Sequence, residues 1–250
     1  MARFAPLKRA PAYVELAEAI IAEILEGKIK PGENLPIEKD LSEQFMVNRS
    51  TLREGLRVLE EAGLVIRQGK KLTVQKPSEE SLGLAIGRAL VLHDVTFDDI
   101  YILTSVLFPT AARLAATKAT DIQLEALTKN TEQTKHVLGD PERLAHSDVE
   151  FLKLLAAASG NKALVISLEP LTLVLYAGFL TILKNIEVAS ERLFASHCNI
   201  LDAIKSHDEE KSEYWTRKHA EDFKRAFGEA GIPIDTKISE VKHVIDALRP

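Results

Sequence analysis

The sequence predicts a mainly α chain in two domains, a small α+β unit followed by an all-α unit. Three observations predict it. Apolar residues recur at helical spacing along most of the 250 residues. The period drops from 3.6 to 2 only between residues 64 and 75. Charge is divided unevenly: residues 1–76 carry 13 Lys+Arg against 11 Asp+Glu, and residues 77–250 carry 19 against 26. A basic module joined to an acidic one fits this split, whereas a chain that coats nucleic acid indiscriminately does not.

Composition narrows the class further. At 46% hydrophobic and 28% charged, with 12 Gly and 10 Pro, the chain can bury sizeable cores and is not of disordered or collagen type. Its one cysteine, Cys198, excludes a disulfide framework and a Cys-based zinc finger, and fits a reducing compartment. No apolar run approaches the ~18 residues of a membrane span. Met1 to Tyr13 lacks the apolar stretch of a signal peptide. The expectation is a cytoplasmic protein with no membrane partner.

In the N-terminal part, Tyr13, Leu16, Ala17, Ile20, Ile21 and Ile24 give a helix over 11–27 that stops at Gly27. After the turn Lys30-Pro31-Gly32 comes a short helix, 37–45, with Leu41 and Phe45 inward. Met46-Val47-Asn48 breaks it, and a third helix runs over 49–62 to Gly63, with Asn48 as its N-cap. Residues 64–67 and 72–75 then read as strands around Gln68-Gly69-Lys70-Lys71. From Pro77 onward only helical segments follow: 79–92, 96–117, 120–138, 141–159, 161–184, 188–207 and 209–229, with a short one over 236–248. Pro109 and Pro170 are expected to kink or interrupt two of them.

Three helices and a β-hairpin in about seventy residues describe a winged helix-turn-helix, whose third helix enters the major groove while the hairpin reaches the flanking backbone or minor groove. The start of helix three offers Asn48, Arg49, Ser50, Thr51 and Arg53, with Lys39 on helix two and Gln68, Gly69, Lys70 and Lys71 in the wing. A winged helix also serves as a protein-binding adaptor. Charge gathered at the one helix terminus that faces a groove favours double-stranded DNA. The expected domains are therefore 1–76, a winged helix; 77–95, a linker and connecting helix; 96–232, a six- or seven-helix bundle; and 233–250, a partly helical tail.

The residues carry a resemblance. Lys30-Pro31-Gly32-Glu33-Asn34-Leu35-Pro36, Leu41-Ser42-Glu43-Gln44-Phe45, Val47-Asn48-Arg49-Ser50-Thr51-Leu52-Arg53-Glu54 and Gly63-Leu64-Val65 resemble the DNA-binding domain of the GntR superfamily of bacterial regulators. The resemblance covers residues 10–75. It implies base contacts from Arg49 and Arg53, phosphate or base contacts from Lys39, Asn48, Ser50 and Thr51, and a minor-groove wing at Gln68-Gly69-Lys70. Asn48 stands where Ser or Thr is usual, Met46 replaces a turn glycine, and Gly55 replaces alanine.

The helical part resembles the FadR-like branch, with its FCD ligand-sensing domain, through the run from Asp148 to Asn161, His197-x-x-Ile200-x-x-Ala203-Ile204 with Asp208, and His219. Many members of this branch hold a divalent metal with an Asp, a His four residues later and two more histidines. Here Asp148, His197 and His219 are kept and Leu152 stands in place of the paired His. Two readings fit: three ligands and water hold zinc weakly, or Asp148 pairs with a histidine and no metal is present. The leucine favours the second. The resemblance also implies a homodimer on a palindromic operator and a small-molecule effector, with repression the expected effect. The stretch 101–109 lacks the Arg and Glu pattern of small-carboxylate sensors. An apolar cavity around Leu103, Leu107, Phe108, Leu152, Tyr176 and Phe179, for a lipid-like or fatty-acyl effector, is the expectation, with a solid core as its alternative. A metal-dependent sensor of a small carboxylate is the other effector reading.

Catalysis is not expected. His93, His136, His146, His207 and His243 lie at no useful spacing from a nucleophile. The adjacent His197 and Cys198 point about 100° apart on a helix.

Overall fold

The computed structural model describes residues 10–247. They form two compact units divided between Ser81 and Leu82. In the first, α1 (Ala12–Leu25) buries Leu16, Ala17 and Ile20, α2 (Glu38–Gln44) buries Leu41, and α3 (Arg49–Glu61) buries Leu52, Leu56 and Leu59. These side chains share one core with Leu35, Val65, Leu72 and Val74. Helical spacing thus turns one apolar stripe of each helix to a common centre.

Between α2 and α3 the chain turns at Met46, whose φ of 52° lies in the left-handed region that glycine adopts without strain. Met46 is 91% exposed, so solvent accommodates its side chain. β1 (Val65–Gln68) pairs antiparallel with β2 (Lys71–Val74), in register from Val65 opposite Val74 to Gln68 opposite Lys71. The hairpin is closed by Gly69 and Lys70 alone, one residue tighter on each side than the sequence suggests. Gly69, at φ +62°, occupies the position that a type II′ turn reserves for glycine. The other edge of β2 is also paired: Gly32 N–H donates to the Val74 carbonyl at 2.8 Å and Leu35 N–H to the Leu72 carbonyl at 2.8 Å. Periodicity gave no sign of this third extended segment, which is only a few residues long.

The second unit takes in α4 (Glu79–Leu92) from Leu82 onward, then α5 (Phe97–Lys118), α6 (Asp121–Lys135), α7 (Pro141–Ala158), α8 (Lys162–Asn185), α9 (Ala189–Lys205), α10 (Glu209–Glu229), a 3-10 turn (Ile238–Glu240) and α11 (Lys242–Ala247). Side-chain caps fix five of these starts. Thr96 with Asp99 and Thr120 with Gln123 form capping boxes, and Asp140, Asn161 and Asp208 each accept from a first-turn N–H. α10 packs along α5 and α9, and α7 lies between α6 and α8. The segment after α10 returns to α5: Phe97 N–H donates to the Thr236 carbonyl at 3.1 Å and Asp98 N–H to the Ile234 carbonyl at 2.8 Å, which satisfies two of the open donors at that helix start.

Two expectations are corrected here, the first in part. Of the kink or interruption expected at Pro109 and Pro170, the interruption does not occur: α5 and α8 continue through both. Each proline forfeits one i→i−4 bond, and burial of both rings in the core holds the helix around the gap. The same two helices are, by length and composition, apolar enough to cross a membrane, contrary to the expectation of no such stretch. In the folded unit about half of each apolar window is buried, as in a core helix.

Candidate DNA interface and effector site

The N-terminal turn of α3 is built by Asn48. Its Oδ1 accepts from the Thr51 N–H at 2.9 Å and from the Ser50 hydroxyl at 2.6 Å. That cap leaves the Asn48 amide N–H groups outward. Ser50 has given its only proton to Asn48 and offers lone pairs alone. Arg49 is exposed and makes no side-chain hydrogen bond or ion pair among the described residues. Arg53 is exposed as well, but its Nε donates to Glu38 Oε2 at 3.1 Å. Thr51 is half-buried; Lys39, Gln68, Gly69, Lys70 and Lys71 are exposed, with Lys39 Nζ 3.9 Å from Glu43. The fold therefore presents Arg49, Arg53 and the wing tip to solvent.

Sequence reasoning missed the residues that hold the wing. Arg67 on β1 donates to Glu38 on α2 at 3.0 Å and to Glu60 on α3 at 2.9 Å. Burial pushes the Glu38 carboxyl up, yet hydrogen bonds and charge from Arg53 and Arg67 outweigh it and hold Glu38 below its ordinary value. No local spacing signals a partnership across 29 residues.

In the helical unit Asp148 (α7), His197 (α9) and His219 (α10) meet, all buried. His197 Nε2 lies 2.9 Å from Asp148 Oδ1 in a hydrogen bond. His219 Nε2 lies 3.3 Å from the same oxygen, close enough for an ion pair but not aligned as a hydrogen bond. Burial raises the Asp148 carboxyl, and the charge of His219 with the hydrogen bond from His197 more than offsets this, so Asp148 stays below its ordinary value. Burial lowers His197. Against the same burial, the Asp148 charge raises His219, which is the imidazole that holds a proton more readily.

These donors fit a divalent ion. Bonds of about 2.0–2.1 Å to a shared zinc place neighbouring ligand atoms roughly 2.9–3.4 Å apart, the separations that Asp148 Oδ1 already has to both imidazoles. Asp148 Oδ2 and His197 Nδ1 are buried without a partner among the described residues. Leu152, one turn beyond Asp148 and 2% exposed, supplies no donor. The same distances serve the paired reading of the cluster equally well.

The expected apolar cavity is corrected. Phe108, Leu152 and Phe179 do come together, with Thr104, Thr216 and His219, around a void of about 20 Å³. A second void of about 20 Å³ adjoins Phe179 and His219 on the side of Leu193 and Asp222. Each has room for about one water molecule and none for an acyl chain. Leu103 is 44% exposed, and Leu107 and Tyr176 are half-buried outside the lining. The reason is helical phase: α5 turns Thr104 and Phe108 inward, and α8 turns Leu175 and Phe179, so residues one position away face elsewhere. Tyr176 packs against His146 instead, the rings tilted by 34° with 4.4 Å between their centres.

Comparison with known proteins decides the family. The model of bacterial regulatory proteins of the gntR family matches residues 12–74, and that of the FCD domain matches residues 99–222. The chain is a GntR-family regulator of the FCD type. It is 29% identical over 229 residues to the HTH-type transcriptional repressor NanR of Cronobacter sakazakii, covering 86% of this chain and 84% of that one. NanR of Salmonella schwarzengrund is 29% identical over 233 residues, covering 85% of each chain. Among solved structures, Streptococcus agalactiae GntR superposes with a TM-score of 0.60 at 28% identity, over 85% of this chain and 99% of that one. This GntR-family chain is therefore a ligand-responsive, DNA-binding transcriptional regulator and not an enzyme.

Proposed function

We propose that this regulator is a cytoplasmic homodimeric repressor that sets two α3 helices into successive major grooves of a palindromic operator. Arg49 carries the reading: it is an outward guanidinium with no partner among the described residues, at the helix terminus a winged helix delivers to base edges. Arg53 reads bases once it exchanges Glu38 for a guanine edge. Lys39, Asn48 and Thr51 position the helix through phosphates and bases, Ser50 joins them once its hydroxyl turns from Asn48 to the DNA, and Gln68, Gly69 and Lys70 enter the minor groove. The relatives named as repressors support the sign of regulation.

The effector acts in the helical domain, at the polar cluster and the voids beside it. A compact molecule suits this space better than a fatty-acyl chain, because it is water-sized in this conformation; Thr104, Thr216 and His219 add polar groups to an otherwise apolar lining that includes Phe108, Leu152, Leu175, Phe179 and Phe223. Asp148, His197 and His219 would hold a divalent cation, which would supply a positive charge to an acidic effector. Leu152 leaves the position nearest the void to water or to that ligand. The effector favours one dimer arrangement and changes operator affinity only by its difference in affinity for the two states.

Anisotropy titration of operator DNA at two salt concentrations tests the DNA role. Arg49→Ala should weaken specific binding by about 1–3 kcal/mol and relax base preference. Lys71→Ala should weaken all sequences alike and reduce the salt slope by about 1. Equal behaviour of the two variants would refute the division into reading and positioning residues.

A further inference from the structure

An open groove of about 460 Å³ runs between α6 and α7, away from the Asp148 cluster. Arg143, His146, Ser147 and Glu150 line one side, spaced i, i+3, i+4 and i+7 on a single face of α7, Asn130 comes from α6, and His136 is the residue that caps the C-terminus of α6. Asn130 is 6% exposed, and its Nδ2 donates to the Ser147 carbonyl at 3.1 Å; a flipped amide would set two acceptors against each other. Its Oδ1 is consequently an acceptor, buried and without a partner among the described residues. The single hydroxyl proton of Thr134 goes to the Asn130 carbonyl at 2.9 Å. In the 2.7 Å contact between Thr134 and Ser147, Ser147 is therefore the donor, and its Oγ keeps only lone pairs. Asn130 Oδ1 lacks a donor, Ser147 Oγ beside it has lone pairs to offer, and the Glu150 carboxylate stands one turn further along.

The other end has the opposite character. Among the described residues, Arg49 and Arg143 are the arginines whose side chains make no hydrogen bond or ion pair; the first of them lies on the DNA face. Arg143 is in the first turn of α7, beside His136 at the end of α6. Glu150 likewise has no partner among the described residues. One wall is held by His146 packed against the Tyr176 ring. Along α7 the cation-seeking end begins at Ser147, one helical turn or roughly 6 Å from the anion-seeking Arg143, and extends to Glu150, two turns or roughly 10 Å away.

We propose that this groove binds a small ω-amino acid, with its carboxylate on Arg143 and its ammonium group on Asn130 Oδ1, Ser147 Oγ and Glu150. An uncompensated buried acceptor, Asn130 Oδ1, favours a donor-bearing ligand, and Arg143, without a side-chain partner among the described residues, favours a planar acid. The site lies outside the bundle interior and does not depend on the proposed operator or effector.

Calorimetric titration of the full chain with glycine, β-alanine, 4-aminobutyrate and 5-aminopentanoate tests it, with butyrate and butylammonium as single-charge controls. Saturable binding is expected for 4-aminobutyrate or 5-aminopentanoate, at least tenfold weaker binding for glycine, and none for either control. Arg143→Gln and Glu150→Gln should each weaken binding at least tenfold. Both side chains are exposed, so the unliganded melting temperature should not move. Absence of saturable binding across the series, butyrate binding as well as the amino acids, or unchanged affinity in both variants would each overturn the proposal. None of these outcomes bears on operator binding, which is measured separately.

Discussion

Gly55 sits on the buried face of α3, where α1 crosses it. A Cβ added there would lie 2.7 Å from Leu16 Cδ2 and 2.9 Å from the Tyr13 carbonyl oxygen. The leucine tip can rotate, but the carbonyl belongs to the backbone of α1 and cannot yield without moving the helix. Replacing glycine by alanine in a helix gains about 1 kcal/mol of propensity, whereas forcing an extra carbon into a packed contact costs roughly 1–3 kcal/mol. Gly55→Ala is therefore expected to lower stability by about 1 kcal/mol, readable as a reduced denaturant midpoint, despite the better helix former. From sequence, the glycine registers as a propensity cost and as an opening for close packing. The sign of the substitution needs the distance to Tyr13. Asn48 is the opposite case: a cap is a local hydrogen bond within three residues, so residue type and position identify it directly.

The wing is an element whose strands follow from period-2 patterning but whose anchorage does not. Glu38 receives Arg53 and Arg67, and Arg67 also reaches Glu60, so a single carboxylate on α2 ties the hairpin to the recognition helix. Glu38 ionises below its ordinary value of 4.5 in the folded state. The stabilisation it gives is complete above that value and is lost as pH falls through the lowered one. Hydrogen exchange of the wing amides, expressed as protection factors, should show less protection in Glu38→Gln than in the unmodified chain at pH 7. The difference should close as pH falls below about 4.5. A gap that persists at low pH would assign the anchorage to packing instead. Charge pairs spanning 29 residues arise only when the helices are assembled, which is why neither spacing nor composition displays them.

For the molecule as a whole, helix boundaries in the FCD unit were legible to within a few residues because its breaks carry their own chemistry. Thr96, Thr120, Asp140, Asn161 and Asp208 are caps, and Gly160 adopts φ +63° where α7 ends. The meeting of Asp148, His197 and His219 was legible only through family resemblance. The size of the space beside them was not legible at all, since a void is the small remainder of many packed volumes. At this scale the proposed two-fold dimer makes a geometric demand on its operator. Inserting about 5 bp between half-sites should turn one half-site to the far side of the duplex and reduce affinity at least tenfold. Inserting about 10 bp should restore part of the loss. Band-shift titration of three operators differing only in spacer checks it, and insensitivity to the spacer would exclude a rigid dimer.

Thr96 and Lys237 lie side by side in an isolated β-bridge, and the stretch from Ile234 onward closes over the mouth of α5. The head and tail of the sensory bundle thus occupy the same corner. A cyclically reordered gene that joins these two points through a short peptide, and opens the chain at the solvent-facing bend around Asp140, would ask little new of the fold.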